Sequence, residues 1–402
     1  MTLKKWVSTS TLVAALMIPT TVAFAEEEKD AADFTERQYG FSAFEEEMIA
    51  VSSLFRYDSG FNFTYPDAIR GVYVTGHSAG GSRFNNLLEL MATTDLNAMV
   101  IDIKDDFGDL TYVPAEDSPL KQLNIGNRYI KDPHAMLETL EKEQVYPIAR
   151  VVVFKDSELA KAKPELSFVE GSDLWKNGRG ESFVNPFMKE VWDHNVAVAI
   201  EAAKMGFQEI QFDYVRFPEG FENRADELTY NMGEYENSDL DPVQRRVQAV
   251  TDFVAYAREK LKPYDVKVSV DIFGYAATLP EAPGIGQNFG KISENVDVIS
   301  SMIYPSHWTS YFGIAKPDLE PYRLVQEYAK MENAKLAELE SAPISRPWIQ
   351  DFTASYLGSG NYKKYGKAEV EAQIRALNEA GIKEYLLWNA GNRYTPGVDY
   401  TP

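Results

Sequence analysis

Val266-Lys267-Val268-Ser269-Val270-Asp271-Ile272 alternates strictly, with Val266, Val268, Val270 and Ile272 on one face and Lys267, Ser269 and Asp271 on the other. Side chains on a strand switch faces with a period of two. A strand that is apolar on one side and polar on the other, yet rich in valine, suits a layer of helices on its apolar side and an enclosed interior on its polar side. The same phase recurs upstream. Ile210 and Phe212 alternate with Gln211 and Asp213, and Met99, Ile101 and Ile103 alternate with Val100, Asp102 and Lys104. Three strands thus carry an inward aspartate close to their C-terminal ends.

On either side of this strand, β-rich runs occur at residues 71–75, 98–104, 147–154, 208–213, 266–272, 296–303, 346–351 and 383–388. Amphipathic stretches fall between them at 82–93, 133–143, 186–205, 242–262, 320–339 and 368–380, with a shorter one near 288–295. Strand and helix in alternation predict a parallel sheet covered by helices. Eight such units predict an α/β fold of the (β/α)8, or TIM-barrel, type, with a doubly wound open sheet as the alternative. Barrel enzymes place their chemistry at the C-terminal strand ends, where these aspartates fall.

The N-terminus reads as a secretory signal over residues 1–25: Lys4 and Lys5, a short apolar run at 11–18 closed by Pro19, and the small-residue site Ala23-Phe24-Ala25. A retained anchor is the alternative, although the run is short for one. Residues 26–64 open on Glu26, Glu27, Glu28, Lys29 and Asp30 and read as an acidic linker, with the folded domain at 65–402. A secreted or wall-associated protein with no stable membrane anchor is expected. The chain has no cysteine, which excludes disulfides, thiolate metal sites and a cysteine nucleophile. Its net charge of −21, or −23 without Lys4 and Lys5, argues against nucleic acid as a partner, since phosphate binding needs clustered cations.

The candidate chemistry centres on Gln211-Phe212-Asp213-Tyr214-Val215-Arg216-Phe217-Pro218 at the exit of the fourth strand. Asp213 there can serve as a nucleophile or base, with Arg216 orienting it or keeping it ionised. Asp271 on the next strand supplies a second carboxyl. Hydrolysis of a glycosidic bond needs two such groups, one ionised and one carrying a proton. Asp351, at the end of the seventh strand, is an alternative partner for Asp213. Asp102, Lys104, Asp105 and Asp106 read as substrate-binding or supporting groups. Tyr73, Tyr304, His307, Trp308, Trp348, Trp388 and Asn389 gather at strand ends, and flat rings there suit stacking on sugar faces.

Gly76-His77-Ser78-Ala79-Gly80 matches the nucleophile elbow of serine hydrolases, between a strand and a helix. An esterase acting through Ser78 is therefore a lesser alternative to a Gly/Ser loop at the barrel mouth. No metal site or organic cofactor is expected, because the four histidines form no ligand pattern and KDDFGD lacks the order of a calcium loop.

Taken together, GVYVTGHSAGG, MVIDIKDDFG, QFDYVRFP, VSVDIFGY, MIYPSHW, QDFTASYLGSGNYKKYG and EYLLWNAGNRYTP resemble the glycosyl-hydrolase domain family found in exported proteins of Gram-positive bacteria, over roughly residues 66 to 400. The resemblance implies a TIM-barrel glycosidase-like fold acting on a polysaccharide or oligosaccharide. Barrel enzymes that look related cleave polymers of amino sugars with acids after the fourth and fifth strands. By position this implies Asp213 and Asp271, with aspartate here where those relatives often carry glutamate. A non-catalytic glycan-binding or cell-wall structural barrel is the reading from another functional class.

Overall fold

The computed structural model describes residues 56–402; the expected signal segment, and the linker as far as residue 55, lie outside the described residues. Eight parallel strands form the barrel: β1 (Arg70–Val74), β2 (Ala98–Lys104), β3 (Tyr146–Val152), β4 (Glu209–Asp213), β5 (Lys267–Phe273), β6 (Val298–Met302), β7 (Trp348–Gln350) and β8 (Tyr385–Trp388). They pair in chain order, and β1 closes on β8 with Gly71 opposite Leu386. That closing pair excludes the open-sheet alternative. The β6–β7 seam is the thinnest, carried by Trp348 opposite Met302 and, just before β7, by Ile344 and Ser345 against β6.

The period-two pattern sorts the core into two layers. Met99, Ile101, Ile210, Phe212, Val268, Val270 and Ile272 face outward into one large apolar cluster shared with the helices. Ala98, Val100, Ile148, Tyr304, Trp348 and Leu386 form a smaller cluster inside the barrel. The covering helices are α1 (Arg83–Thr93), α2 (Pro133–Lys142), α3 (Lys189–Met205), α4 (Pro242–Leu261), α5 (Phe289–Ser293), α6 (Pro321–Leu336) and α7 (Lys367–Glu379). Their starts are written in the sequence. Asp132 and Asp241 cap α2 and α4, each followed by a proline whose missing N–H costs nothing at the first helical position. Among the described residues no helix is long and apolar enough to cross a membrane.

Loop lengths distinguish the two ends of the barrel. Connections leaving the strands' C-terminal ends are long, at 105–132, 153–188 and 214–241, whereas those returning to the N-terminal ends are as short as 94–97, 143–145 and 206–208. The N-terminal end is filled by side chains. Arg346 donates to Glu209 (2.7 Å) and Glu384 (2.8 Å), Ser269 donates to Glu209, and Tyr65 donates to Glu384. Residues 57–64, within the expected linker, run across this end without helix or strand. Tyr57 N–H donates to Pro263 O, and Asn62 and Thr64 donate to Glu141 and Gln144. Gly206, at the end of α3 with φ +118°, lies against Phe61; a Cβ there would stand 2.2 Å from the ring, so only glycine allows this approach.

Candidate active site

The opposite end holds a cluster of carboxylates around one guanidinium. Arg150, on β3, is 1 % exposed. Its Nη1 donates to Asp102 Oδ1 (2.7 Å). Its Nε (3.0 Å) and Nη2 (2.6 Å) both reach Asp213 Oδ2, and Nη2 also reaches Asp106 (2.9 Å). The guanidinium lies 5.4 Å from the Tyr73 ring centroid and 5.6 Å from that of Trp388. Register explains the convergence, because Asp102 on β2 is the direct partner of Arg150, and β3 in turn carries Arg150 opposite Gln211, two residues before Asp213.

Asp213 accepts a third bond from the N–H of Tyr214 (2.6 Å). Tyr214 has φ +52°, a left-handed conformation uncommon for a non-glycine residue, and this twist turns its N–H back onto the carboxyl before it. Every bond at Asp213 is therefore accepted, the pattern of a carboxylate. Lys155 stands 3.9 Å from Asp106 and pairs with Glu181 at 2.8 Å. Burial pushes Asp106 up, but the Arg150 and Lys155 cations outweigh it and hold the carboxyl below its usual range.

Two neighbours are tuned the other way. Burial, offset in part by Arg150, pushes Asp102 up to about 7, and Tyr73 Oη donates to it at 2.5 Å. Burial and then the negative charge of Asp213 push Asp271 well above the usual carboxylate range. Trp348 Nε1 donates to Asp271 Oδ1 (2.8 Å); among the described residues Oδ2 has no hydrogen-bond partner. Phe212 pairs with Val270, so Asp213 and Asp271 follow each other on adjacent strands and both point inward. A carboxyl that only accepts hydrogen bonds, beside one whose proton burial holds more tightly, is the asymmetry that acid–base chemistry requires.

Over this cluster Trp388 stacks on Tyr73 at 4.0 Å and 18°, with Tyr304 6.2 Å away and His307 5.1 Å beyond it. A cavity of about 280 Å³ adjoins Tyr214, lined by Phe183, Arg216, Arg179, Glu181 and Glu219. No group of three or more metal-ligating side chains is placed to hold an ion among the described residues; Asp102 and Asp213 direct their oxygens to Arg150 and its neighbours.

The structure brings together Asp102, Asp213, Asp271, Tyr304, His307 and Trp388, and sets other expected residues elsewhere. Lys104 is a correction. A bulge between Asp102 and Lys104 inserts one position, so Lys104 pairs with the outward-facing Val151. Its ammonium is fully buried behind the barrel wall, 2.5 Å from Asp156 and bonded to Val152 O and Asn195. Arg216 does not touch Asp213. It donates to Phe217 O and Glu219 and lies over the rings of Phe273 and Tyr214, lining the side cavity instead. Trp308 turns toward α6, packing on Tyr328 and Phe312. Asp351 accepts from Thr395 N–H and Oγ1, and Asn389 donates to Asp351 O and Arg393 O, so both tie down the chain after β8 rather than meet Asp213.

Ser78 sits in a helical turn, Gly76–Ala79, whose N-cap Thr75 accepts from the Ser78 N–H. It lacks the strained backbone of an elbow, and among the described residues it has no histidine partner. Arg150, the hub, was missed. Its signal was a lone charge inside the apolar run PIARVVVF, in phase with inward Ile148.

Residues 71–394 match the family described as "Putative glycosyl hydrolase domain". Among solved structures, a hypothetical protein from Ruminiclostridium thermocellum is 31 % identical, covering 50 % of this chain and 96 % of its own, with a TM-score of 0.43. The PgaB (BpsB) glycoside hydrolase domain from Bordetella bronchiseptica is 16 % identical, covering 81 % of this chain and 94 % of its own, with a TM-score of 0.54, a likeness of fold. No curated protein matches the chain.

Proposed function

The chain belongs to this family of glycosyl hydrolase domains, and from that premise we propose that it cleaves the glycosidic bonds of a polysaccharide with Asp213 and Asp271 as its two working carboxyls. One observation carries the assignment: neighbouring inward aspartates, of which Asp213 only accepts hydrogen bonds, from Arg150 and the Tyr214 N–H, while burial beside it raises Asp271. In this reading Asp271 donates its proton from Oδ2 to the glycosidic oxygen as the bond to the anomeric carbon breaks. Asp213 meets the developing positive charge on the opposite face and forms the bond that water later hydrolyses. Asp102, through Arg150, keeps Asp213 in place, and Trp388 offers a sugar face its stacking surface.

The test is a reducing-end screen over neutral polysaccharides and deacetylated amino-sugar polymers. On a substrate so found, Asp271→Asn should lower turnover by roughly 10²–10⁴-fold, the range of general acid catalysis. Asp213→Asn should lose at least as much, with glycan binding and fold retained. Unchanged turnover in either variant rejects its role; binding without any cleavage by the unaltered protein supports a glycan-binding barrel instead. Export from the cell belongs to the same proposal and is supported by the sequence of residues 1–25 alone.

A further inference from the structure

A line of rings leaves the carboxylates and climbs over the rim between β6 and β7. Trp388 stands over the cluster, Tyr304 follows at 6.2 Å, and His307 at 5.1 Å from Tyr304. Tyr304 is buried and serves as the base of the line, Trp388 is half-buried, and His307 is exposed. At the outer end stands Tyr356, 68 % exposed and the most open large apolar side chain among the described residues. A ring left in water is ordinarily free to swing, but this one is tethered. Tyr356 Oη donates to Ser306 Oγ (3.2 Å), and the same Oγ lies 3.2 Å from His307 Nδ1. Ser306 is itself held by its N–H to Gln350 Oε1 (3.0 Å), and Gln350 is locked at the top of β7 by bonds with Asp318 and Gln373.

Resting on the reading that the carboxylates act on a glycan, we propose that Tyr356 and His307 form a distal sugar-stacking subsite, so that the protein grips a polymer away from the bond it cuts and cleaves inside the chain. Two features argue for a sugar as the occupant. First, a fixed, exposed ring with its hydroxyl already bonded presents a flat apolar face at little ordering cost, which suits the C–H face of a pyranose. Second, the line is continuous with the stacked Trp388 and Tyr73 beside Arg150, so one chain can lie along it and still reach Asp213 and Asp271.

The test uses the full chain carrying Asp213→Asn, so that no polymer is consumed, with and without Tyr356→Ala. Binding is read by affinity electrophoresis against hydroxyethyl cellulose, laminarin, soluble amylose, arabinoxylan and glycol chitin, and against the disaccharide of whichever polymer is held. Loss of one aromatic contact should weaken polymer binding by about three- to ten-fold and leave disaccharide binding unchanged. Equal retention of both proteins by every polymer that is held, retention by none, or an equal loss for disaccharide and polymer overturns the subsite. The two proposals fail separately. A polymer held through Tyr356 but left uncut by the unaltered protein sinks the hydrolase and keeps the subsite. A polymer cut as well by Tyr356→Ala as by the unaltered protein, with equal affinity, does the reverse.

Discussion

Arg150→Met removes the guanidinium and keeps a straight apolar side chain in its place. Asp102 and Asp213 then stay buried with no cation, while Asp106 still faces Lys155. Removing one partner of a buried ion pair costs about 3–5 kcal/mol. The chain can escape part of that cost by protonating the stranded carboxyls, at about 1.4 kcal/mol for each pH unit above about 3.9. For a single carboxyl this is about 5–6 kcal/mol at pH 8 but only about 1–2 kcal/mol at pH 5. The stability deficit of the variant, taken from urea unfolding followed by tryptophan fluorescence, should therefore be about 5 kcal/mol at pH 8 and shrink by about 3–4 kcal/mol at pH 5. The sign is the informative part, because the variant recovers as pH falls. A deficit that is the same at both pH values, or below about 1 kcal/mol at pH 8, would refute the view that Arg150 holds charged carboxylates together.

Lys104→Met should cost about 3–5 kcal/mol of stability by stranding Asp156, while leaving KM for a glycan unchanged; a raised KM in the folded variant would return Lys104 to the binding surface. Burial raises Asp102 to about 7 in the folded chain, so its proton is held more tightly there than in the unfolded chain. That stabilisation is complete below about pH 4 and fades as pH climbs to about 7. Asp102→Asn should therefore flatten the fall in the urea midpoint across this window, and an equally steep fall contradicts it. Trp388→Ala should raise KM by about three- to ten-fold through lost stacking; an unchanged KM removes Trp388 from the sugar path. Ser78→Ala should leave cleavage of glycans and of ester substrates at the unaltered level, and loss of ester turnover would revive the serine reading.

The barrel was legible because inward and outward residues on β2, β4 and β5 differ in polarity, and a period of two survives in sequence. It placed Asp102, Asp213 and Asp271 on the inner face, where the structure has them. The same rule misplaced Lys104, since a bulge adds one residue without leaving a mark in the pattern. Proximity along the chain also misled. Arg216 is three residues from Asp213, yet the cation that reaches Asp213 comes from the neighbouring strand, 63 positions away. Sequence neighbours share a loop, whereas strand neighbours share a register, and only coordinates show which arginine points where. Asn389, Asp351 and Trp308 sit at strand ends like true mouth residues, but their side chains serve the loops around them.

The plug of Arg346, Glu209, Glu384 and Tyr65 makes the barrel a blind well. On the proposed reading, a strand of sugar cannot be threaded through it and pulled out below; it would be laid across the opening, and both fragments would lift off the side by which the whole arrived. Exchange of reactant, water and fragments therefore shares a single doorway, and crowding at that doorway, by long loops or by a viscous polymer gel, would slow every one of them together.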